Sequence, residues 1–302
     1  MYDLIIVGAG PAGITAAIYA ARKKIDTLVI TKDVGGQAAL SGDIENYTGY
    51  QMVTGVQLAE KFQEHLKRFK LELKAGEEAK EITKADGTFT VKTTGGKYES
   101  RAVIIATGAK PRMLNIPGER EFRNKGVSYC ATCDAPLFGG MGVAVIGGGN
   151  SAMDAALQLA KIAKKVHVVN INPVLLGDEI LKEKLLANRN VEVLNSAKAL
   201  EIKGDKLVSG LRVGVGAGGA EKTLAVRGIF IEIGWTPSSD IAKGLDKNEK
   251  DEIVVGPEGQ TTIPGLFAAG DVTSIEDKQI IIAAGEGAKA ALSAAKYLST
   301  TR

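Results

Sequence analysis

Two cysteines stand in 302 residues, three positions apart, in Cys130-Ala131-Thr132-Cys133-Asp134. A pair at this spacing can close as a disulfide and open as a dithiol, and its first thiol can be held as a thiolate by a helix N-terminus or a nearby charge. The competing reading is half a zinc site, which needs two more Cys or His ligands. The only histidines, His65 and His167, lie in other segments, so redox chemistry is the expected role. Asp134 can carry a proton for thiol exchange. Taken alone, an aspartate in that place more often caps a helix.

Two glycine-rich turns accompany the cysteines. Residues 2–7 read as a buried parallel strand, followed by Gly8-Ala9-Gly10-Pro11-Ala12-Gly13, an alanine-rich helix from Ile14 to Lys23, and a strand from Thr27 to Ile30. This strand–turn–helix–strand setting makes a G-x-G-x-x-G pattern specific for a dinucleotide. Gly8 permits the tight turn, Gly10 lets the backbone approach a pyrophosphate, and Gly13 allows close helix–strand packing. The helix N-terminus then faces the phosphates. The acid expected for the ribose at the end of the second strand is missing; Thr31 stands there.

Residues 142–169 repeat the pattern: a strand from Gly142 to Ile146, the turn Gly147-Gly148-Gly149-Asn150-Ser151-Ala152, a helix from Met153 to Ala163, and a strand from Val166 to Val169. Two such units imply two nucleotide sites, and a flavin and a nicotinamide would fit. The second unit also lacks its acid, with Asn170 at the strand end, and no arginine stands there to hold a 2′-phosphate. Residues 174–187 read as helical.

The other elements must position these groups. Residues 35–50 read as an irregular loop, about Gly55 to Phe69 as a helix, and 71–105 as short strands broken at Asp86-Gly87 and Gly95-Gly96. Ala106-Thr107-Gly108-Ala109 follows, and a domain crossing is placed at about residue 114. Residues 191–235 read as strand-rich, with loops at Gly204-Asp205 and Gly214 to Gly219. Gly234-Trp235-Thr236-Pro237 is the return crossing, with Trp235 as a packing residue. A strand ending in Gly270-Asp271 precedes Lys278-Gln279-Ile280 and a final alanine-rich helix. The expected fold class is α/β, with a discontinuous domain over 1–114 and 239–302 and a second over 115–238.

Composition is ordinary for a globular chain, at 45% hydrophobic and 24% charged, and 37 glycines suit many tight turns. A net charge of +3 gives no reason to expect a nucleic-acid or membrane partner. No apolar run reaches the length of a membrane span. The opening residues run straight into a strand, so no secretory signal is expected, and the reading is cytoplasmic.

With these motifs in order, the whole chain resembles the low-molecular-weight thioredoxin reductases. It is equally similar to the C-terminal flavoprotein part of the alkyl hydroperoxide reductase flavin subunit, although no N-terminal thioredoxin-like module of that kind is expected here. The resemblance rests on Gly8 to Gly13, Gly35-Gly36-Gln37, Ile44-Glu45-Asn46-Tyr47, Ala106-Thr107-Gly108, Cys130 to Asp134, Gly147 to Ala152, Gly270-Asp271 and Lys278-Gln279. It implies a homodimer of two Rossmann-like domains, with FAD held by the first and last segments. The FAD residues would be Gly8, Gly10, Pro11, Ala12, Gly13, Thr31, Gly36, Gln37, Asn46, Thr107, Gly108, Gly270, Asp271, Lys278, Gln279 and Ile280. The nicotinamide residues would be Gly147, Gly149, Asn150, Ser151, Ala152 and Asn170. Cys133 would face the flavin, Cys130 would attack the disulfide of thioredoxin or a similar small protein, and Asp134 would protonate the departing thiolate.

Two departures bear on the electron donor. Asn170-Ile171-Asn172 and Leu176 replace the basic residues of the NADPH-using reductases, and Asn170 replaces the glutamate of the hydroperoxide reductase group. NADH is therefore expected over NADPH. The alternatives are ferredoxin or another reduced flavin as donor, with a vestigial nicotinamide site; a flavin-bearing redox sensor; and a flavin reductase or oxidase without a disulfide partner.

Overall fold

The computed structural model describes residues 1–41, 43–216 and 218–301. Gly42, in the loop expected over 35–50, Ala217, in the loop expected at Gly214 to Gly219, and Arg302 lie outside the described residues. The chain divides into two units, Met1–Lys110 with Thr236–Arg302, and Pro111–Trp235. It passes out at Lys110–Pro111 and returns at Trp235–Thr236, a few residues before the positions 114 and 239 expected from sequence. The outward passage falls at the proline that ends the strand Ala109–Pro111, where a missing N–H costs no ladder bond.

In the first unit the strand Tyr2–Ala9 is central, with Leu4, Ile5 and Ile6 fully buried. It pairs in parallel with Thr27–Val34 on one side and Lys97–Ile105 on the other. Glu72–Ala75 extends the sheet beyond Thr27–Val34, and Leu266–Ala268 joins the far end of Lys97–Ile105, both in parallel. Ala79–Ala85 and Thr88–Thr93 complete it as an antiparallel arm. A strand buried on both faces needs cover on both, and its run of apolar residues reflects that. One face is covered by the helices Pro11–Arg22 and Ile280–Thr300. Gly287 of the second helix lies so close to the backbone of Ala12 that a Cβ there would collide with it. The helix Gly55–Lys67 opens on a capping box between Thr54 and Gln57, a device contributing about 1 kcal/mol.

Two local expectations change here. The strand after the first turn runs on from Ile30 to Val34, because Gly35 N–H bonds Ala9 O and carries the chain alongside the turn. The 35–50 segment contains a short helix, Gly36–Ala39, entered through Gly35 at φ 98°.

The second unit is built on a five-stranded all-parallel sheet, in the order Val127–Ser128, Gly228–Ile231, Gly142–Ile146, Lys165–Val169, Val191–Leu194. The strands Ala197–Gly204, Val208–Val215 and Ala220–Leu224 form a separate antiparallel sheet. The helix Asn150–Ala160 packs Ala152, Met153, Ala156 and Leu159 against the parallel sheet. The helix expected over 174–187 begins only at Glu179. The preceding residues bond back to the glycine turn instead of to one another: Leu176 N–H donates to Gly148 O and Asp178 N–H to Asn150 Oδ1. Trp235, expected as a packing residue, is 37% exposed. Both units are α/β folds of the Rossmann-like type, and among the described residues no helix is long and apolar enough to cross a membrane.

Candidate functional site

Parallel strands deliver their C-terminal ends to one edge, where loops converge. In the first unit that edge holds a cleft lined by Gly8, Gly10, Pro11 and Ala12, by Thr31, Lys32 and Asp33, by Gly36 and Gln37, by Thr107 and Gly108, and by Gly270 and Asp271. These residues come from four strand ends and the short helix.

The three glycines of the first turn differ in what holds them. Gly8 has φ 107°, and a Cβ there would run into Ala106 O. A Cβ on Gly13 would run into Gly8 O, so Gly13 keeps helix against strand rather than lining the cleft. At Gly10 a Cβ would meet no protein atom within 4 Å. The protein's own packing therefore does not require Gly10, and the bare backbone leaves room in the cleft. The helix Pro11–Arg22 has no side-chain cap, so its first N–H groups have no side-chain partner. An uncapped helix N-terminus beside bare backbone suits a pyrophosphate.

Thr31 is committed to the fold: its hydroxyl accepts from Ala9 N–H at 3.1 Å and donates to Asp33 O. The acid missed in the sequence is Asp33, carried into the cleft lining by the longer strand. Glu77 also lines it. Burial pushes the Asp271 carboxyl up, against the pull of Lys278. Asn46, Lys278, Gln279 and Ile280 are not brought onto the lining. Asn46 Nδ2 donates to Gln279 Oε1 at 3.0 Å, Lys278 pairs with Glu252 at 3.0 Å, and Ile280 packs with Ile44, Val53 and Leu58.

In the second unit Cys130 and Cys133 are joined as a disulfide, with Cα atoms 5.3 Å apart. Cys130 precedes the short helix Ala131–Asp134 as its N-cap and Cys133 lies within it, just beyond the edge strand Val127–Ser128. Ser128 organises this turn. Its hydroxyl donates to Asp134 Oδ2 at 2.6 Å and accepts from Cys130 N–H at 3.0 Å. Beneath it, Glu119 is 1% exposed and accepts from Tyr129 OH and from the backbone N–H of Leu114 and Asn115. Burial first, then that bond, raises the Tyr129 phenol. Among the described residues no metal-binding cluster forms; His65 stands on the helix Gly55–Lys67 and His167 on the strand Lys165–Val169.

Sequence reasoning also missed Glu232. It follows the strand Gly228–Ile231, and its Oε1 accepts from Ala131 N–H at 3.3 Å. Burial pushes its carboxyl up to about 7, with the Ala131 bond pulling the other way. The available signal was one acid inside the apolar run Gly-Ile-Phe-Ile-Glu-Ile.

The second glycine turn follows the strand Gly142–Ile146, and the helix Asn150–Ala160 is likewise uncapped by any side chain. A Cβ on Gly147 would strike Glu232 O. Of the expected nicotinamide residues, Gly149 and Ser151 sit at the turn, Ala152 is buried, and the Asn150 side chain is bonded to Asp178. Asn170 follows the strand Lys165–Val169. It is 0% exposed, and its amide donates to Asn172 O, Val174 O and Asn195 Oδ1 while its Oδ1 accepts from Asn172 N–H. The side chain is buried against Gly148, and its bonds run within the protein. Asn170→Ala is therefore expected to lower stability by about 2–4 kcal/mol, read by chemical unfolding, rather than to change nucleotide affinity alone. An unchanged unfolding midpoint would contradict this placement.

A dinucleotide-type cleft in one unit and a disulfide beside a second glycine turn in the other define a disulfide oxidoreductase flavoprotein class. The chain belongs to the pyridine nucleotide-disulphide oxidoreductase family, whose model matches residues 2–295. The thioredoxin reductase of Streptococcus pyogenes MGAS5005 superposes with TM-score 0.94 at 38% identity, over 99% of each chain. An NADH dehydrogenase of Bacillus subtilis is 43% identical over 98% of this chain and 58% of its own length. An alkyl hydroperoxide reductase component of Pseudomonas putida is 43% identical over 99% of this chain and 59% of its own length. The chain thus spans under two thirds of these two curated relatives. The family is one of FAD-dependent oxidoreductases, and the first unit's cleft has the features that cofactor needs.

Proposed function

We propose that this protein passes electrons from a reduced nicotinamide, through FAD and the Cys130–Cys133 disulfide, to the disulfide of thioredoxin or a similar small protein. The observation that carries the reading is the disulfide itself, formed between the chain's only two cysteines on a helix that also bears Asp134. Similarity to a thioredoxin reductase along the full length supports the acceptor. Bound FAD would supply reducing equivalents two electrons at a time.

The chain's own residues would do the rest. The first glycine turn and the uncapped helix after it hold the pyrophosphate, and Asp271 bonds the polyol. Cys133 receives the electrons and Cys130 attacks the partner's disulfide. Asp134, oriented by the Ser128 hydroxyl, protonates the departing sulfur. The protein would act as a homodimer in the cytoplasm.

For the donor, NADH is favoured because Ile171, Asn172 and Leu176 place no cation near the end of the strand Lys165–Val169. A relative named NADH dehydrogenase agrees with this. One observation favours the second reading, a ferredoxin or flavin donor with a vestigial nicotinamide site: the segment before Glu179 bonds directly to the glycine turn. Anaerobic titration of the oxidised holoprotein separates them. Bleaching of the flavin by NADH, with NADPH at least about tenfold less effective, is the expected result. Preference for NADPH overturns the donor assignment, and no bleaching by either nucleotide selects the second reading. Turnover with a thioredoxin tests the acceptor: a single reduction without turnover would mark a redox sensor instead.

A further inference from the structure

We propose that Glu232 is a second proton partner of the Cys130–Cys133 pair, beside Asp134, sharing one proton with Cys130 once the disulfide is opened. The proposal rests on the redox role of that pair and adds a residue to it.

Strand order brings the carboxyl there. Gly228–Ile231 lies between Val127–Ser128, which leads into the cysteine helix, and Gly142–Ile146, which leads into the second glycine turn. All three run parallel, so their C-terminal ends meet at one edge. The registers pair Ser128 with Phe230 and Ile146 with Ile231. Glu232, next in the chain, therefore emerges between the disulfide and the turn. Its carboxylate takes the N–H of Ala131, the peptide that joins Cys130 to the helix.

Among the described residues, no cation offsets it. The cysteine helix contributes Asp134, whose Oδ2 accepts from Ser128. The glycine turn and the start of the next helix, Gly147 to Met153, carry no charge, and neither do Gly142–Ile146 or Gly228–Ile231. Arg112 lies against Gly234, two residues on. The Glu232 carboxyl accordingly titrates near 7, where burial has moved it, in the range in which a cysteine pair exchanges protons.

Two electrons, from the reduced flavin or from an added dithiol, break the S–S bond. Two protons are needed if both sulfurs become thiols. With Glu232 beside the pair, one of these can reside on the carboxyl, so that thiol plus carboxylate and thiolate plus carboxylic acid share one proton. The two groups then titrate as a coupled pair rather than singly. Re-forming the disulfide returns that proton.

The test is alkylation of the dithiol-reduced protein by iodoacetamide across pH, with Cys130 modification read by peptide mass spectrometry. No protein acceptor is required, so failure here leaves the acceptor reading untouched. The wild type is expected to show two inflections. Glu232→Gln keeps an acceptor for Ala131 N–H and is expected to show one inflection, about one pH unit below the upper inflection of the wild type, because no ionised carboxylate then opposes the thiolate. Superimposable curves would overturn the proposal and leave Glu232 a structural cap. A second measurement needs no reduction. Because the folded-state value lies above the ordinary 4.5, the cost of ionising this group is absent below pH 4.5 and complete above about 7. The oxidised wild type should therefore lose stability relative to Glu232→Gln over that window. Parallel stability profiles would show that the carboxyl is not held as described, and would also overturn the proposal.

Discussion

Cys133→Ser is expected to lower reduction of a small protein disulfide by roughly 10³-fold or more while the flavin still accepts electrons from its donor. A 10³-fold loss corresponds to about 4 kcal/mol of transition-state stabilisation. The effect is large because the chain holds no third cysteine with which Cys130 could pair. The fold should survive, since the helix Ala131–Asp134 is held by Ser128 and by the Glu232 bond to Ala131 N–H, neither of which uses a cysteine side chain. Stopped-flow flavin absorbance and steady-state turnover, measured on one preparation, separate the two half-reactions. Retained turnover would refute the disulfide route and point to a flavin reductase or oxidase.

The second large effect concerns the first glycine turn, where two substitutions of the same size should behave differently. Gly13→Ala places a Cβ on the carbonyl oxygen of Gly8, and a backbone atom at a tight turn cannot swing aside as a side chain would. A loss of about 2–4 kcal/mol is expected, lowering Tm by roughly 5–15 °C, with flavin content falling as the turn deforms. Gly10→Ala meets nothing in the protein, so its Tm without flavin should be unchanged, yet bound flavin should drop at least about tenfold because the methyl group enters the cleft. Differential scanning calorimetry and the ratio of flavin to protein absorbance report both quantities. Equal Tm values for Gly13→Ala and wild type would show that the turn relaxes. Full flavin content in Gly10→Ala would place the cofactor elsewhere.

Much of this was legible in the sequence because it is local. The order of strand, glycine turn and helix reads directly from period and composition, and both turns stand where the motifs placed them. Two departures share one cause, a hydrogen bond to a segment distant in sequence. The first unit's second strand runs to Val34 because Ala9 O offers an acceptor for Gly35 N–H. The helix expected from residue 174 starts at Glu179 because Gly148 O and Asn150 take the donors that would have begun it. The strand-end position of Asn170 points to ligand contact, whereas four hydrogen bonds seal the side chain inside. Helical period and strand-end position register none of these partners.

The sequence by itself determined the chemistry available: one pair of cysteines at redox spacing, two dinucleotide turns, and a strand ending in Gly270-Asp271. These follow from residue type and short spacing, which the chain carries whatever its fold. Only the tertiary structure decided which groups share an edge. Cys130 and Glu232 are about a hundred positions apart, and nothing local relates them. Glu232 reaches the backbone N–H of Ala131, the residue after Cys130, because parallel pairing sets Gly228–Ile231 beside Val127–Ser128 and aligns the ends of both strands. The same alignment carries Asp33, Thr107 and Asp271 into one cleft. Strand order and register are settled by burial of both faces of each sheet, an energy that belongs to the assembled core and to no single segment.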